Sequence, residues 1–153
     1  MNQPILSPKS FCQVALVVRD IDQSRRAYAK IFGCEPPPVR ETGGADETHI
    51  RYRGQPTTAR AKLAFLPMGQ ASLELIEPIG APSIWQEFLD RNGDSLHHVA
   101  YRVPDMKQAT DALAANGCPT VQTGDFKGGC YAYVDATKSL GVLLELLAST
   151  HAK

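Results

Sequence analysis

The sequence predicts an α+β fold built from two βαβββ modules, and three observations predict it. A strand-then-helix signature occurs twice: QVALVVRDIDQ from Gln13 and HVAYRVPDMKQ from His98 align at an offset of 85 residues, with Val14 on Val99, Ala15 on Ala100, Asp20 on Asp105 and Gln23 on Gln108. A Leu-Glu-Leu run also occurs twice, around Glu74 and around Glu145, at a shorter offset of 71, so the second half has the shorter loops. The chain of 153 residues, 43% hydrophobic and 21% charged, has the material for one domain of two small units and is too apolar for disorder. Recurrence of this kind fixes architecture before any motif is weighed.

Each element has its own local reason. Residues 11–18 (FCQVALVV) are apolar and β-branched, as a buried strand requires. Asp20 with Gln23 three residues on resembles a capping box, Ile21, Tyr28, Ile31 and Phe32 make an apolar stripe, and Gly33 stops the helix. Residues 34–46 hold Pro36, Pro37, Pro38, Gly43 and Gly44 and read as a loop. Strands are expected over residues 48–52, 62–66 and 71–76, with Pro67, Gly69 and Gln70 turning between the last two. Pro78, Gly80 and Pro82 break the pattern, and residues 83–91 form a short helix ended by Gly93.

The second half repeats the plan. Residues 96–103 make a strand, Asp105 opens a helix with Met106, Ala109, Ala112 and Leu113 on its apolar face, and Gly117 ends it. Strands follow at residues 120–123, 130–134 and 142–147. The expected organisation is a single domain over residues 1–153, with a first module at 11–77, a connecting helix at 78–94 and a second module at 95–148.

Sixteen Lys and Arg balance sixteen Asp and Glu. That balance argues against a nucleic-acid or anionic-membrane partner, since both are recognised first through an excess of positive charge. Residues 1–10 lack the apolar stretch of a signal peptide, and even residues 141–147 are interrupted by Glu145, so a cytoplasmic protein is expected. Cys12, Cys34, Cys118 and Cys130 form no C-x-x-C pair and read as small buried apolar residues.

The repeat also selects polar residues. Gln13 pairs with His98 and Glu74 with Glu145 at equivalent strand positions, all in apolar surroundings. A lone Glu or His in a strand is more often solvated or structural than functional. Strand alternation turns these four away from their apolar neighbours, and two modules related by a pseudo-two-fold axis bring equivalent positions together. One imidazole, two carboxylates and one amide make an N/O ligand set for a divalent first-row ion, with His98 bound as the neutral imidazole. His97 is expected on the opposite side. His49 alternates with Arg51 and Arg53 as on a half-exposed strand, and His151 lies in the tail.

The paired modules resemble the vicinal oxygen chelate superfamily of glyoxalase I, extradiol dioxygenases, fosfomycin and bleomycin resistance proteins and methylmalonyl-CoA epimerase. The likeness is greatest to the epimerase branch, through FLPMGQASLELIEPIG (residues 65–80), GDSLHHVAYRVPDM (93–106) and GVLLELL (141–147). It implies a curved, cup-like mixed sheet, the glyoxalase/bleomycin resistance/dioxygenase fold. It also implies that Gln13, Glu74, His98 and Glu145 hold a divalent ion such as Co, Ni, Mn or Zn, the same four that the repeat selects. Gln13 departs from the pattern, which has His there.

Lys62 stands where the epimerases carry the Glu that exchanges the α-proton. A Lys acts as a base only with its pKa lowered by burial or a nearby cation. Glu41, Asp46 and Glu47 are acidic residues near enough in sequence to stand in.

The resemblance therefore implies a metal-dependent enzyme that stabilises an enolate of a carbonyl or acyl-CoA substrate, an epimerase-like isomerase or a glyoxalase-like lyase. Glu145 would serve as ligand and base, and Lys62 as a proton-transfer or oxyanion-stabilising group. The alternative is a non-catalytic, antibiotic-type small-molecule binding protein of the same fold without metal, which Gln13 and Lys62 favour. Ring-cleaving dioxygenases resemble two His plus one carboxylate around Fe, and His98 is a single well-placed imidazole. Arg51, Arg53 and Lys127 are basic groups available to a CoA phosphate, and Trp85 reads as core or interface packing. The resemblance also implies a homodimer, which is common among family members.

Overall fold

The computed structural model describes residues 4–150; His151, read from the sequence as part of the tail, lies outside them. Strand β1 (Phe11–Val17) buries Gln13, Ala15 and Val17 on one face. Helix α1 (Ile21–Phe32) follows, its Asp20 side chain accepting from the Gln23 N–H and its Gly33 cap at φ 67°. Its stripe is narrower than expected: Ile21 and Ala29 are buried, whereas Ile31 and Phe32 are exposed.

The chain then makes β2 (Arg40–Glu41), α2 (Ala45–Thr48), β3 (Arg51–Tyr52), β4 (Gln55–Pro56), β5 (Arg60–Met68) and β6 (Ala71–Ile79). Helix α3 (Ile84–Asn92) is capped by Ser83, whose hydroxyl accepts from the Gln86 N–H. The second half comprises β7 (Ser95–Arg102), α4 (Met106–Ala115), β8 (Thr120–Phe126), β9 (Gly129–Ala136), α5 (Thr137–Leu140) and β10 (Val142–Ser149). Asp105 caps α4 through Gln108 as Asp20 caps α1 through Gln23, so the repeat extends to its hydrogen bonds. No helix among the described residues is long and apolar enough to cross a membrane.

The ten strands among the described residues form one curved mixed sheet in the order β2-β5-β6-β1-β7-β10-β9-β8-β3-β4. Its middle is symmetric. β1 runs parallel to β6, β7 runs parallel to β10, and β1 and β7 meet antiparallel at the pseudo-two-fold. The fold corrects one expectation here. The strand that matches β8 in the first half is the two-residue β2, inside the Pro-rich segment read as a loop. The run at residues 48–52 is mostly not strand: Thr48 ends α2, His49 is left-handed at φ 45°, and β3 pairs with β8 of the other half. Residues 42–50 therefore strap one margin of the curved sheet to the other.

Two irregularities interrupt the central pair. Between Phe11↔Tyr101 and Gln13↔Ala100, β1 holds the extra residue Cys12. Between Ala15↔His98 and Leu16↔Leu96, β7 holds the extra residue His97. These are one-residue bulges, which re-aim neighbouring side chains, and at an offset of 85 they are equivalent positions of the repeat.

The convex face is covered by helices: Val18 and Ile21 at α1 pack on Ala64, Leu66 and Leu75, and Ala109 and Leu113 of α4 pack on Val134, Leu144 and Leu146. On the concave side α3 plugs one end of the cup through Ile84, Trp85 and Leu89 against Ala15, Val17 and Tyr133. The leucines flanking Glu74 and Glu145 go outward to the helices, so both carboxylates turn inward. All four cysteines are free thiols. Cys118 is buried, but Cys34 is exposed and does not serve as core.

Candidate metal centre

The inward positions of the four central strands β6, β1, β7 and β10 converge. Ala15 pairs with Glu74 on one side and His98 on the other; its repeat equivalent Ala100 pairs with Gln13 and Glu145. Both alanines are fully buried, and their small side chains leave room for the four larger polar groups around them.

Gln13 Nε2 donates to Glu74 Oε2 at 2.6 Å and to Glu145 Oε2 at 3.4 Å, and lies 3.4 Å from His98 Nε2. His98 Nε2 is 3.1 Å from Glu145 Oε2 and 3.6 Å from Glu74 Oε2. His98 is 0% exposed, Glu74 and Glu145 5% and Gln13 7%. Ligand atoms of Glu74, His98 and Glu145 all lie within 4.8 Å of one another. Burial, and after it the charge of Glu145, push the Glu74 carboxyl well above the usual range. Two carboxylates this close and this dry need a neutralising partner. The donor set of two carboxylate oxygens, one imidazole nitrogen and one amide suits a divalent ion, with Gln13 contributing its amide oxygen in place of the nitrogen that now faces the carboxylates.

Above this cluster opens a cavity of about 810 Å³, with Gln13, Glu74 and Glu145 on its floor. One wall is apolar, from Leu63 and Phe65 of β5. The other carries Tyr131 and Tyr133 of β9. Tyr133 Oη accepts from Trp85 Nε1–H at 3.0 Å, and Tyr131 Oη accepts from Gln122 Nε2–H at 3.3 Å. Gln122 is itself oriented, because its Oε1 accepts from the Ile84 N–H at 2.8 Å. Each phenol oxygen thus receives a hydrogen bond and keeps its own O–H to donate. Burial and the nearby carboxylates raise both phenol pKa values, so both stay protonated.

The strap supplies the mouth of the cavity. Glu41 lines it but is held by Arg60 at 2.8 Å. Glu47 lines it from α2 with no ion pair among the described residues, its carboxylate folded over Gly43, where a Cβ would meet Glu47 Oε2 at 2.6 Å. Asp46 is not part of the lining. Three cations on the lining, Arg40, Arg102 and Lys127, have no acidic partner among the described residues. Arg51 and Arg53 are elsewhere, Arg51 on the Gly54 carbonyl and Arg53 on Glu87 at 2.8 Å.

Two expected placements are corrected. Lys62 is not brought to this cluster. It sits on the convex face of β5 with Ala64 and Leu66, and its ammonium donates to Glu77 Oε1 at 2.6 Å. That contact raises its pKa and holds it as the ammonium, which has no lone pair to take a proton. The face follows from register: the tight turn at Gly69 and Gln70 pairs Phe65 with Glu74 and Lys62 with Glu77, putting Lys62 on the opposite face from Glu74. His97 is not turned away. The bulge in β7 tucks its ring beside that of His98, with Nδ1 to Nδ1 at 2.9 Å. Burial, then the neighbouring His98, push the His97 pKa well below the usual range, against a smaller opposing effect of the Ile84 backbone. Exposed His49 binds half-buried Asp125 at 2.9 Å, apart from the cluster. Trp85 packs in the core and also holds Tyr133.

The family model described as Glyoxalase/Bleomycin resistance protein/Dioxygenase superfamily matches residues 12–134. The chain belongs to this superfamily. Within it, the chain is 31% identical over 143 residues to a 2-epi-5-epi-valiolone epimerase from an Actinomyces species, covering 88% of this chain and 76% of the relative. It is 25% identical over 119 residues to the ethylmalonyl-CoA/methylmalonyl-CoA epimerase of Cereibacter sphaeroides, covering 77% and 78%. The crystal structure of methylmalonyl-CoA epimerase from Mycobacterium tuberculosis shares the superfamily fold, with a TM-score of 0.66 at 21% identity over 98% of this chain and 93% of that one.

Proposed function

We propose that this chain is a divalent-metal-dependent epimerase acting at a carbon next to a carbonyl or thioester. The observation that carries the reading is the burial of Glu74 and Glu145 against one imidazole and one amide on the floor of an open cavity. Gln13, Glu74, His98 and Glu145 would hold the ion, which, when bound, supplies a Lewis acid for the negative charge that develops on the substrate oxygen.

Glu47 is the proton-transfer residue in this reading, with Glu145 as its partner. They reach the cavity from different elements, the strap and the floor, and epimerisation needs a proton removed on one side of the carbon and returned on the other. Glu47 would take the α-proton as a carboxylate and become the carboxylic acid, while Glu145, starting as the acid, would give its proton to the opposite face and become the carboxylate; the reverse reaction or exchange with solvent restores both. The Tyr131 and Tyr133 hydroxyls donate to substrate oxygens along one wall, while Leu63 and Phe65 exclude water along the other. Both named epimerase relatives act, by their names, on compounds with a carbonyl or thioester, and the unpaired Arg40, Arg102 and Lys127 suit an anionic substrate such as an acyl-CoA. The protein would work in the cytoplasm.

The test is exchange of the α-hydrogen in D₂O. Chelator-treated protein is assayed with methylmalonyl-CoA and separately with 2-epi-5-epi-valiolone, with and without Co²⁺, Ni²⁺, Mn²⁺ or Zn²⁺. Metal-dependent exchange with either compound is expected. A metal-loaded protein that exchanges neither contradicts the reaction, and a protein that takes up no metal favours a binding protein of this fold.

A further inference from the structure

We propose that His97 is a positioning residue that fixes the proton of His98 on Nδ1, so that Nε2 is free as a metal ligand; this rests on the metal-centre reading above. His98 presents its two ring nitrogens to different surroundings. Nε2 faces Gln13, Glu74 and Glu145, and Nδ1 faces His97 Nδ1 at 2.9 Å. A neutral imidazole carries one N–H and one lone pair. For Nε2 to offer its lone pair, the proton must stay on Nδ1, and an N–H sealed in a fully buried site needs an acceptor. Nδ1 of His97 is the hydrogen-bond partner found there.

Two nitrogens at this separation share a single proton, so His97 must then carry its own on Nε2. That atom makes no hydrogen bond of full geometry, but the Ile84 backbone accepts weakly from the His97 ring, whose Nδ1 is already turned to His98. With the proton on Nε2, Nδ1 is left as the acceptor for the His98 N–H. The ring is well fixed for such a role. Phe88 and Tyr133 meet it edge-to-face, with centroids at 5.0 and 5.4 Å, and it is 1% exposed.

The bulge exists at the residue that needs it. Without the extra residue in β7, alternation would send His97 to the convex face, out of reach of His98 Nδ1. The equivalent bulge in β1 brings in Cys12, whose thiol donates to the Ala100 carbonyl and makes no bond to Gln13. The first half of the repeat needs no counterpart to His97, because an amide oxygen has no tautomer to fix.

The opposite arrangement is chemically distinct. If His97 Nδ1–H donated instead, His98 Nδ1 would accept, and His98 Nε2–H would point at Glu145 and be unable to ligate. Zn²⁺ is the probe that separates the two. In ¹⁵N spectra of the Zn²⁺-loaded wild type, His98 should be protonated on Nδ1 and His97 on Nε2. In chelator-competition titrations His97→Phe, which keeps the ring packing and loses the acceptor, should bind Zn²⁺ about 10-fold to 100-fold more weakly. His97→Asn, whose side-chain oxygen restores an acceptor, should recover most of that loss. A proton on His97 Nδ1 in the loaded wild type overturns the proposal, whether or not the variants fold, as does wild-type Zn²⁺ affinity in His97→Phe. Wild-type protein that binds no Zn²⁺ fails earlier, at the metal centre itself.

Discussion

Glu74 and Glu145 occupy equivalent positions in the two half-sheets and aim their carboxylates at a single nitrogen, Gln13 Nε2, at 2.6 and 3.4 Å. A neutral amide can hydrogen-bond two carboxylates but cannot cancel their charge. In the metal-free protein that charge is relieved by a proton, and Glu74 is the group whose pKa is raised to hold it. A folded carboxyl with a raised pKa binds its proton more tightly than the unfolded chain does. The stability of chelator-treated protein should therefore fall as pH rises from about 4.3, the unfolded Glu value, toward the raised folded value. Denaturant melts across pH check this, and Glu74→Gln should flatten the dependence.

A divalent ion should reverse the effect at neutral pH. With the ion at about 100 times its Kd, the folded state gains about 2.7 kcal/mol. Differential scanning calorimetry with and without Zn²⁺ measures the gain, and Glu74→Gln and Glu145→Gln should each lose most of it.

Gly43 makes space for Glu47, since a Cβ there would lie 2.6 Å from its carboxylate oxygen. Gly43→Ala should therefore displace the proposed proton-transfer group and lower kcat while leaving metal affinity unchanged. Glu47→Gln, which keeps the shape but cannot take a proton, should cut turnover by about 10²-fold or more. Equal losses in metal affinity and turnover for Gly43→Ala would show that Glu47 serves the site only structurally.

Lys62 provides the contrasting case. Its ammonium is on the convex face with Glu77, so Lys62→Met should leave α-proton exchange unchanged. A large loss of exchange in a normally folded Lys62→Met protein would return Lys62 to the reaction.

Ala100 is wedged between Gln13 and Glu145 at 0% exposure. Ala100→Val adds two methyl groups where the four polar side chains meet, at a cost of about 1–3 kcal/mol in stability. Metal affinity should fall with it, whereas the same change at exposed Ala115 should do neither; urea titration and Zn²⁺ competition on both variants separate the effects.

The features legible in the sequence were those written locally or written twice. Asp20 and Asp105 cap their helices through residues three positions on, a signal contained in four residues. The four polar residues of the cluster could be selected because the repeat names each one through its equivalent. What escaped depended on pairing between distant segments. The face of Lys62 is set by the hairpin register, which the turn at Gly69 and Gln70 encodes but which a family alignment does not use. The inward turn of His97 comes from a bulge opposite Ala15 and Leu16, and L-H-H-V-A alone has no mark of it. β2 is two exposed residues, too short for any periodicity, and β3 pairs with a strand of the other half. The strap that carries Glu47 exists only through that long-range pairing.

The central claim is that Gln13, Glu74, His98 and Glu145 hold a divalent ion, and anomalous diffraction from a Co²⁺-loaded crystal tests it most directly. The account predicts an anomalous peak among Glu74, His98 and Glu145, with the Gln13 oxygen turned toward it. Metal-loaded crystals with no peak at that position, or with the peak elsewhere in the molecule, would contradict it.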